Sequence, residues 1–309
     1  MPQRQVLVRA EALSGRQAGL ISLSQALAAG LTERAVRTLV GRGEWHRVTR
    51  AVYRTPVDTR LDAFDERRQQ AAWAGLLAVP GAMATGMSAL ALHGLWGLPT
   101  RIPSEVCVPG GSSVQGPTGV RVRRYRRPIP AVMVNGFPVA QVVPALVQAL
   151  PQLDREHGVA VLDSALHLGR AVPDDLVAVH RLLARRPGAP RARTYLALAD
   201  GRAESPLETR ARLCFSDAGL APTTLQVAFR DRAGVLVARG DMGWRRPDGS
   251  WVIAELDGRD VHAAPEAVYR DRSRQNLLQT RGRVTMLRFT GRDLTNGVAV
   301  ATVRRALAE

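Results

Sequence analysis

Hydrophobic and polar positions alternate most regularly in the last third of the chain. Residues 235–244 and 251–257 are short runs rich in β-branched and aromatic residues, separated by a Pro-Asp-Gly turn. This pattern predicts an antiparallel hairpin. Side chains two positions apart on a strand share a face, so Trp251, Glu255 and Asp257 lie together, and the opposite face is wholly apolar. The apolar face is predicted to pack on a core.

Carboxylates are concentrated on the other face of this hairpin. Asp241 lies on the first strand, and Glu255 and Asp257 lie on the second. Carboxylates this close on a half-buried sheet repel one another, so they become protonated, pair with arginine or hold a divalent cation. Ligands that are all oxygen suit Mg²⁺ or Mn²⁺. The hairpin is therefore the predicted functional centre.

The elements around the hairpin predict a mixed sheet flanked by helices. Ser205 as N-cap, Pro206 at the first helical position and Glu208 as the capping-box partner predict a helix to about residue 218. Glu208 thus has two possible roles. It either caps the helix, which is a structural role, or completes a metal cluster with its carboxylate. The other predicted elements are a strand at 225–229, a helix at 265–281, a strand at 284–289 and a helix at 292–307.

The first 58 residues have a different pattern. Short helical patterns at 24–29 and 32–40 are separated by Gly30-Leu31, and residues 45–48 and 51–53 form a small hairpin. This order predicts a winged helix-turn-helix, in which the second helix enters a major groove and the wing follows the backbone. The alternative is a winged helix that binds protein through a solvated basic face. The predicted DNA contacts are Arg34 and Arg37 on the second helix and Arg47, Arg50 and Arg54 along the wing.

Residues 59–200 are less informative and predict a mixed α/β region. Five arginines between positions 121 and 127 either track a phosphate backbone or protect an edge strand from aggregation. His93 and His167 lie on apolar helical patterns and are predicted to be core histidines. Residues 71–98 carry no formal charge, but glycine and proline interrupt them, which favours two buried helices over a membrane span.

The excess of basic residues indicates which kind of molecule the protein binds. The 43 basic residues outnumber the 27 acidic ones, giving a formal charge of +16. Counterion release favours binding of such a chain to nucleic acid, although a basic composition that only sets solubility is the alternative. Every basic residue is arginine, so a mechanism that needs lysine is excluded. Two distant cysteines in apolar sequence and the lack of a signal-peptide core predict a cytoplasmic protein with free thiols and no membrane partner.

Residues 18–55 resemble the N-terminal winged-helix domain of AbiEi-type antitoxins. The Gly-Leu turn at 30–31, the Gly-Glu-Trp step at 43–45 and the Val-Tyr-Arg at 52–54 occur in that order. In that family the domain binds promoter DNA. Because several unrelated types of protein carry it, the resemblance implies DNA contact but not antitoxin activity.

The C-terminal third resembles the PD-(D/E)xK nuclease superfamily, and within it the very-short-patch-repair-endonuclease-like branch. The resemblance covers about residues 204–307. It rests on S-P-L-E-T-R at 205–210, G-D-M-G-W at 240–244, E-L-D-G-R-D-V-H at 255–262, Y-R-D-R-S-R at 269–274 and V-T-M-L-R-F-T at 284–290.

This resemblance implies a role for each carboxylate. Asp241 and Glu255 would bind Mg²⁺ or Mn²⁺, and Glu208, with Glu204 as the alternative, would add a further carboxylate from the start of the helix. The superfamily commonly has a lysine where this chain has Asp257, so activation of the attacking water would depend on the cation and on His262 as general base. Arginines one helical turn apart would contact the scissile phosphate or pair with the carboxylates. They are Arg270 and Arg274.

The sequence thus predicts an α+β multidomain protein. Its predicted parts are a winged helix-turn-helix at 1–58, a mixed α/β region of unknown role at 59–200 and a restriction-endonuclease-like sheet flanked by helices at 201–309. The predicted function is a metal-dependent DNA endonuclease targeted by the winged helix. The alternatives are a non-catalytic DNA-binding regulator or antitoxin-like protein, and a module that binds an acidic protein. A protein partner or a homodimer is left open.

Overall fold

The computed structural model has the mixed α+β fold that the sequence predicts. Two compact units make up the chain: Met1–Val161 with Leu168–Leu198, and Leu162–His167 with Ala199–Glu309. The residues that the structure describes are 3–110, 114–184, 186–230, 236–258 and 284–309.

The N-terminal part of the first unit contains three helices and a small sheet. In chain order these elements are α1 (Gln3–Gly15), β1 (Leu20–Ser22), α2 (Leu23–Ala28), α3 (Glu33–Gly41), β2 (His46–Thr49) and β3 (Val52–Arg54). The sheet has the order β1-β3-β2, and both pairs are antiparallel. Ser22 and Thr32 provide the N-caps of α2 and α3, which fix where these helices begin. The helices and hairpin predicted here are confirmed within one or two residues.

The rest of the first unit is a five-stranded sheet with helices. Its elements are α4 (Ala63–Ala78), β4 (Met83–Ala84), α5 (Gly86–Leu92), β5 (Ser104–Cys107), β6 (Val120–Arg123), β7 (Ala131–Val134), β8 (Phe137–Ala140), α6 (Val142–Ala149), a 3-10 turn (Leu150–Gln152), α7 (Arg155–His167), α8 (Pro173–Leu182) and α9 (Ala189–Leu196). The strand order is β6-β5-β4-β8-β7, so β6 is an edge strand. The last turns of α7 belong to the second unit.

The predictions for histidines, cysteines and a membrane span have different outcomes. The ring Nε2 of His93 lies 2.8 Å from the carbonyl oxygen of Ala140, so His93 is a satisfied core histidine. His167 is exposed at the end of α7, so its prediction as a core residue was wrong. Cys107 is a buried free thiol, as predicted, whereas Cys214 is only partly buried. No helix among the described residues is long and apolar enough to cross a membrane.

The described residues of the second unit form a four-stranded mixed sheet with helices. Its elements are α10 (Pro206–Asp217), β9 (Thr224–Arg230), β10 (Leu236–Arg245), β11 (Trp251–Asp257), β12 (Val284–Thr290), α11 (Gly291–Thr295) and α12 (Val298–Ala308). The order is β12-β11-β10-β9, with β11 and β12 parallel and the other pairs antiparallel. The predicted hairpin is confirmed. The predicted last helix is two helices, because Gly297 has a left-handed backbone with φ of 77°. The helix predicted at 265–281 lies outside the described residues.

Candidate functional sites

The register of β10 and β11 places two of the predicted ligands on one face of the sheet. Met242 lies opposite Ala254, and continuing this antiparallel register by one residue places Asp241 opposite Glu255. Residues directly opposite on antiparallel strands share a face. Met242 and Ala254 belong to the buried core of the unit. Asp241 and Glu255 therefore both lie on the reverse face of the sheet.

Asp241 is a partly buried carboxylate with a backbone donor. Its Oδ2 atom accepts a hydrogen bond from the N–H of Leu256 at 2.7 Å. Burial raises the pKa of Asp241 above its usual range, and the nearby charge of Glu204 adds to the rise, while the Leu256 N–H and Arg239 oppose it. The Leu256 N–H thus holds one carboxylate oxygen of Asp241 in place, and burial makes this carboxylate easier to protonate.

Glu255 is held by an arginine of the neighbouring strand. It lies opposite Arg288 in the parallel register of β11 and β12. Its Oε2 atom accepts a hydrogen bond from Nε of Arg288 at 3.0 Å. Asp257 lies two residues further on at the end of β11 and is exposed. The sequence left protonation, pairing with arginine and cation binding open for these carboxylates. Glu255 pairs with arginine.

Glu208 is buried and serves the start of α10. Its N–H donates to Oγ of Ser205 at 3.2 Å, and its Oε1 atom accepts from that hydroxyl at 2.9 Å. Its Oε2 atom accepts from the N–H of Glu204 at 2.9 Å and from Nε2 of Gln226 at 2.8 Å. Burial raises the pKa of Glu208, and the charges of Asp241 and Glu204 add to the rise. Ser205 is therefore the N-cap, as predicted, but the Glu208 carboxylate bonds to the N–H of Glu204 and not to that of Ser205, so the predicted capping-box partnership was wrong. Glu208 lies within electrostatic reach of Asp241.

A further ion pair lies next to this group. Glu204 accepts two hydrogen bonds from Arg239 on β10, at 2.8 and 2.6 Å. Sequence reasoning gave no role to Arg239, because residues 35 positions apart in the chain carry no shared local pattern. Glu204 was the alternative to Glu208 in the sequence prediction, and the structure places the two side by side, with the N–H of Glu204 donating to Oε2 of Glu208.

The described carboxylates do not form a ready metal centre. Among the parts of the chain that the structure describes, no three His, Cys, Asp or Glu side chains are arranged to hold a metal ion. Each of Glu208, Asp241 and Glu255 instead accepts hydrogen bonds from protein groups. Three other predicted residues lie outside the described part of the chain. They are His262, Arg270 and Arg274.

The predicted DNA-contact residues of α3 point away from the core of the N-terminal part. Val36 is buried, whereas Arg34 and Arg37 on the other side of the helix are exposed. Arg37 lies 3.7 Å from Glu33, but both side chains are more than half exposed, so this ion pair holds the arginine only weakly. The outer face of α3 thus presents guanidinium groups to solvent.

The β2–β3 hairpin is fixed to this helical pair by an aromatic contact. Trp45, directly before β2, is 1% exposed and belongs to the same core as Val36. Its ring centroid lies 6.2 Å from that of Tyr53 on β3. The arginines of the hairpin remain exposed around this anchor. They are Arg47, Arg50 and Arg54.

The sequence of the N-terminal part matches a known family. Residues 8–56 match a family described as transcriptional regulator, AbiEi antitoxin. The N-terminal part of the chain is therefore similar in sequence to this family, in agreement with the resemblance seen in the sequence. The match covers α2, α3 and the hairpin together with the end of α1.

Two curated relatives have sequences similar to part of the chain. An uncharacterized protein of Mycobacterium tuberculosis strain CDC 1551 is 35% identical over 136 residues, which are 44% of this chain and 49% of that protein. An uncharacterized protein of Mycobacterium tuberculosis strain H37Rv matches to the same extent. The chain spans about half the length of the curated relatives it matches.

Proposed function

We propose that the protein is a DNA-binding transcriptional regulator whose N-terminal part acts as a winged helix-turn-helix. The observation that carries this proposal is the exposed basic face of α3 beside the basic β2–β3 hairpin, within a segment of AbiEi regulator type. In this function α3 enters the major groove, where guanidinium groups can bind guanine through two hydrogen bonds. The hairpin contacts phosphates, which position the protein without reading sequence.

In vitro selection from a random duplex library tests the proposal. We expect one sequence to be enriched and to bind much more tightly than random duplex in fluorescence anisotropy. Arg34→Gln with Arg37→Gln should lower the affinity for the selected duplex by roughly tenfold or more, since a good arginine–guanine contact discriminates by about 1–3 kcal/mol. A matched control replaces Arg60 and Arg101, which are exposed elsewhere in the unit. Equal affinity of the wild type for selected and random duplexes would contradict the proposal.

The hairpin arginines are expected to act differently from those of α3. Replacing Arg47, Arg50 and Arg54 by glutamine should weaken binding to every duplex by a similar factor. The dependence of log affinity on log salt concentration should become shallower by about 0.9 for each phosphate that the variant no longer neutralises. A change in sequence preference, without a change in the salt dependence, would assign the hairpin to base recognition instead.

A second candidate function is metal-dependent cleavage of DNA by the second unit. It is supported by the placement of Asp241 and Glu255 on one face, with Glu208 in electrostatic reach. The oxygen-only donors suit Mg²⁺ or Mn²⁺. A cation bound by Glu255 would compete with Arg288 for the charge of this carboxylate, whose Oε2 atom holds the arginine.

A cleavage assay distinguishes the second candidate from the first. The wild type is incubated with plasmid, single-stranded and mismatched DNA in the presence of Mg²⁺ or Mn²⁺. Nicking that is abolished by Asp241→Ala and retained by Asp58→Ala, an exposed carboxylate of the other unit, would support a nuclease. If no DNA is cleaved under any of these conditions, the nuclease function is excluded. If Asp241→Ala also leaves selective DNA binding unchanged, the regulator function is supported.

A further inference from the structure

A second basic surface lies in the first unit, outside the helix-turn-helix part. We call Arg124, Arg126, Arg127 and Arg186 the basic edge. The first three directly follow strand β6, the last follows α8, and all four lie at the surface. Together with Tyr125 they line three cavities of about 280, 520 and 530 Å³ that share lining residues. The basic edge is thus a grooved surface built from two separate segments of chain.

The charge of the basic edge is not neutralised by nearby carboxylates. No Asp or Glu is among the described residues that line the three cavities. Glu105, the buried carboxylate of β5, already pairs with two other arginines. It accepts hydrogen bonds from Arg121 at 3.1 Å and from Nε of Arg123 at 2.9 Å. One carboxylate thus meets two guanidinium groups, so even this cluster keeps a positive charge.

The edge strand β6 connects this surface to the β2–β3 hairpin. The hydroxyl of Thr49, in the hairpin, donates to the carbonyl oxygen of Thr118 at 3.3 Å. Arg47 and Arg50 line a groove of about 870 Å³ together with the segment that leads into β6. From Thr118 to Arg124 the chain covers at most about 20 Å, at roughly 3.3 Å per residue. This length corresponds to roughly six phosphates along one DNA strand.

We propose that the basic edge is a second DNA-backbone site, which binds phosphates of the same duplex up to about six base pairs beyond the hairpin. The inference rests on the proposed DNA-binding function and assigns a role to the region after the hairpin. The planar guanidinium group binds phosphate through paired hydrogen bonds, which suits an all-arginine surface. Phosphate contacts carry no sequence information, so this site adds affinity and salt dependence rather than specificity.

The test compares two lengths of the selected duplex. The site is placed alone in a duplex of about 14 base pairs, and with flanks on both sides in one of about 30 base pairs, since a contact up to about six base pairs outside the hairpin needs flanking phosphates. Anisotropy gives the affinity of each duplex at several salt concentrations. We expect the wild type to bind the longer duplex more tightly, with a salt dependence steeper by roughly 2 to 4, at about 0.9 per phosphate contact.

Glutamine replacement of the basic edge should remove this difference. The variant R124Q/R126Q/R127Q/R186Q is expected to bind both lengths with the short-duplex affinity of the wild type, and R126Q/R127Q should lie in between. The matched control replaces four other arginines at the surface of the same unit and should keep the wild-type difference. They are Arg60, Arg67, Arg101 and Arg170.

Three results would overturn the inference. Equal affinity and salt dependence of the wild type for both lengths would exclude the second contact and leave the winged-helix function intact. An equal loss in the control variant would show a general charge effect without a site at the basic edge. If the wild type prefers the selected site over random duplex at neither length, the proposed function fails together with the inference.

Discussion

The Oδ2 atom of Asp241 accepts a hydrogen bond of 2.7 Å from the backbone N–H of Leu256, so a side chain joins β10 to β11. The bond lies just past the last backbone pair of these strands, Met242 with Ala254. It stabilises the ionised carboxylate, but burial has the larger effect, so the pKa of Asp241 is raised. The carboxylate thus links the two strands of the hairpin, but its negative charge lowers the free energy of unfolding because it is partly buried.

We expect Asp241→Asn to increase the free energy of unfolding near neutral pH. The pKa is higher in the folded than in the unfolded chain, so stability falls as the pH rises from the unfolded to the folded pKa. Asparagine lacks this cost and keeps an acceptor for Leu256, so its advantage should shrink as the pH falls toward the ordinary pKa of aspartate. Urea unfolding at several pH values measures the effect. A pH-independent loss of stability in this variant would contradict it.

Gly240, next to Asp241 on β10, is required by the close approach of β11. A Cβ atom at this position would collide with Cγ2 of Ile253. Isoleucine is branched at Cβ and stiff in a strand, so it cannot easily move aside. We expect Gly240→Ala to lower the free energy of unfolding by about 1–3 kcal/mol.

A double-mutant cycle isolates this contact. When Ile253 is alanine, Cγ2 is absent, and Gly240→Ala should then cost less than about 0.5 kcal/mol. Urea unfolding of the four proteins gives the interaction energy. The same penalty in both backgrounds would show that the backbone, and not the Ile253 side chain, requires glycine.

Asp163 and Arg212 form a buried ion pair of 2.8 Å in the second unit. Asp163 is fully buried and also accepts from the N–H of Asp200 at 2.6 Å and the hydroxyl of Thr209 at 2.7 Å. Asp163→Ala leaves these donors without their acceptor and leaves a buried guanidinium charge. We expect it to lower the free energy of unfolding by about 3–5 kcal/mol. The exposed control Asp58→Ala should stay within about 0.5 kcal/mol, and a comparably small effect at Asp163 would contradict the prediction.

The sequence predicted elements that depend on local signals. The β10–β11 hairpin was found because strand alternation and a Pro-Asp-Gly turn are both local. The partner of Glu255 was not found, because Arg288 lies 33 residues away and is brought to it by parallel pairing with β12. The sequence could therefore predict which carboxylates share a face of the sheet, because that depends on local alternation. It could not predict which carboxylate pairs with an arginine, because that depends on a distant strand.

Two other differences have particular physical causes. Helix α1 was not predicted, because its core residues Val6 and Ala10 gain their burial from packing against the rest of the N-terminal part. The arginines at 121 and 123 had two alternative roles, and only the fold shows that β6 is an edge strand whose arginines reach buried Glu105. Tertiary contacts decided both cases.

The N-cap of α3 connects the stability of the N-terminal part with DNA binding. Oγ1 of Thr32 accepts a hydrogen bond from the N–H of Ala35 at 3.1 Å, and Arg34 and Arg37 follow in the first turns. We expect Thr32→Ala to cost about 1 kcal/mol of stability, within a range of roughly 0.5–2 kcal/mol. Because fraying of this end displaces the arginines, the affinity for the selected duplex should fall as well.

Thr32→Ser is the matched control, since serine keeps the hydroxyl acceptor and should preserve both properties. Thermal unfolding gives the stability, and anisotropy gives the affinity for selected and random duplexes. If α3 reads the bases, Thr32→Ala should reduce the preference for the selected duplex more than binding to random duplex. A variant that is destabilised yet keeps its full preference would show that the first turn of α3 does not make the base contacts, and would move recognition to another element.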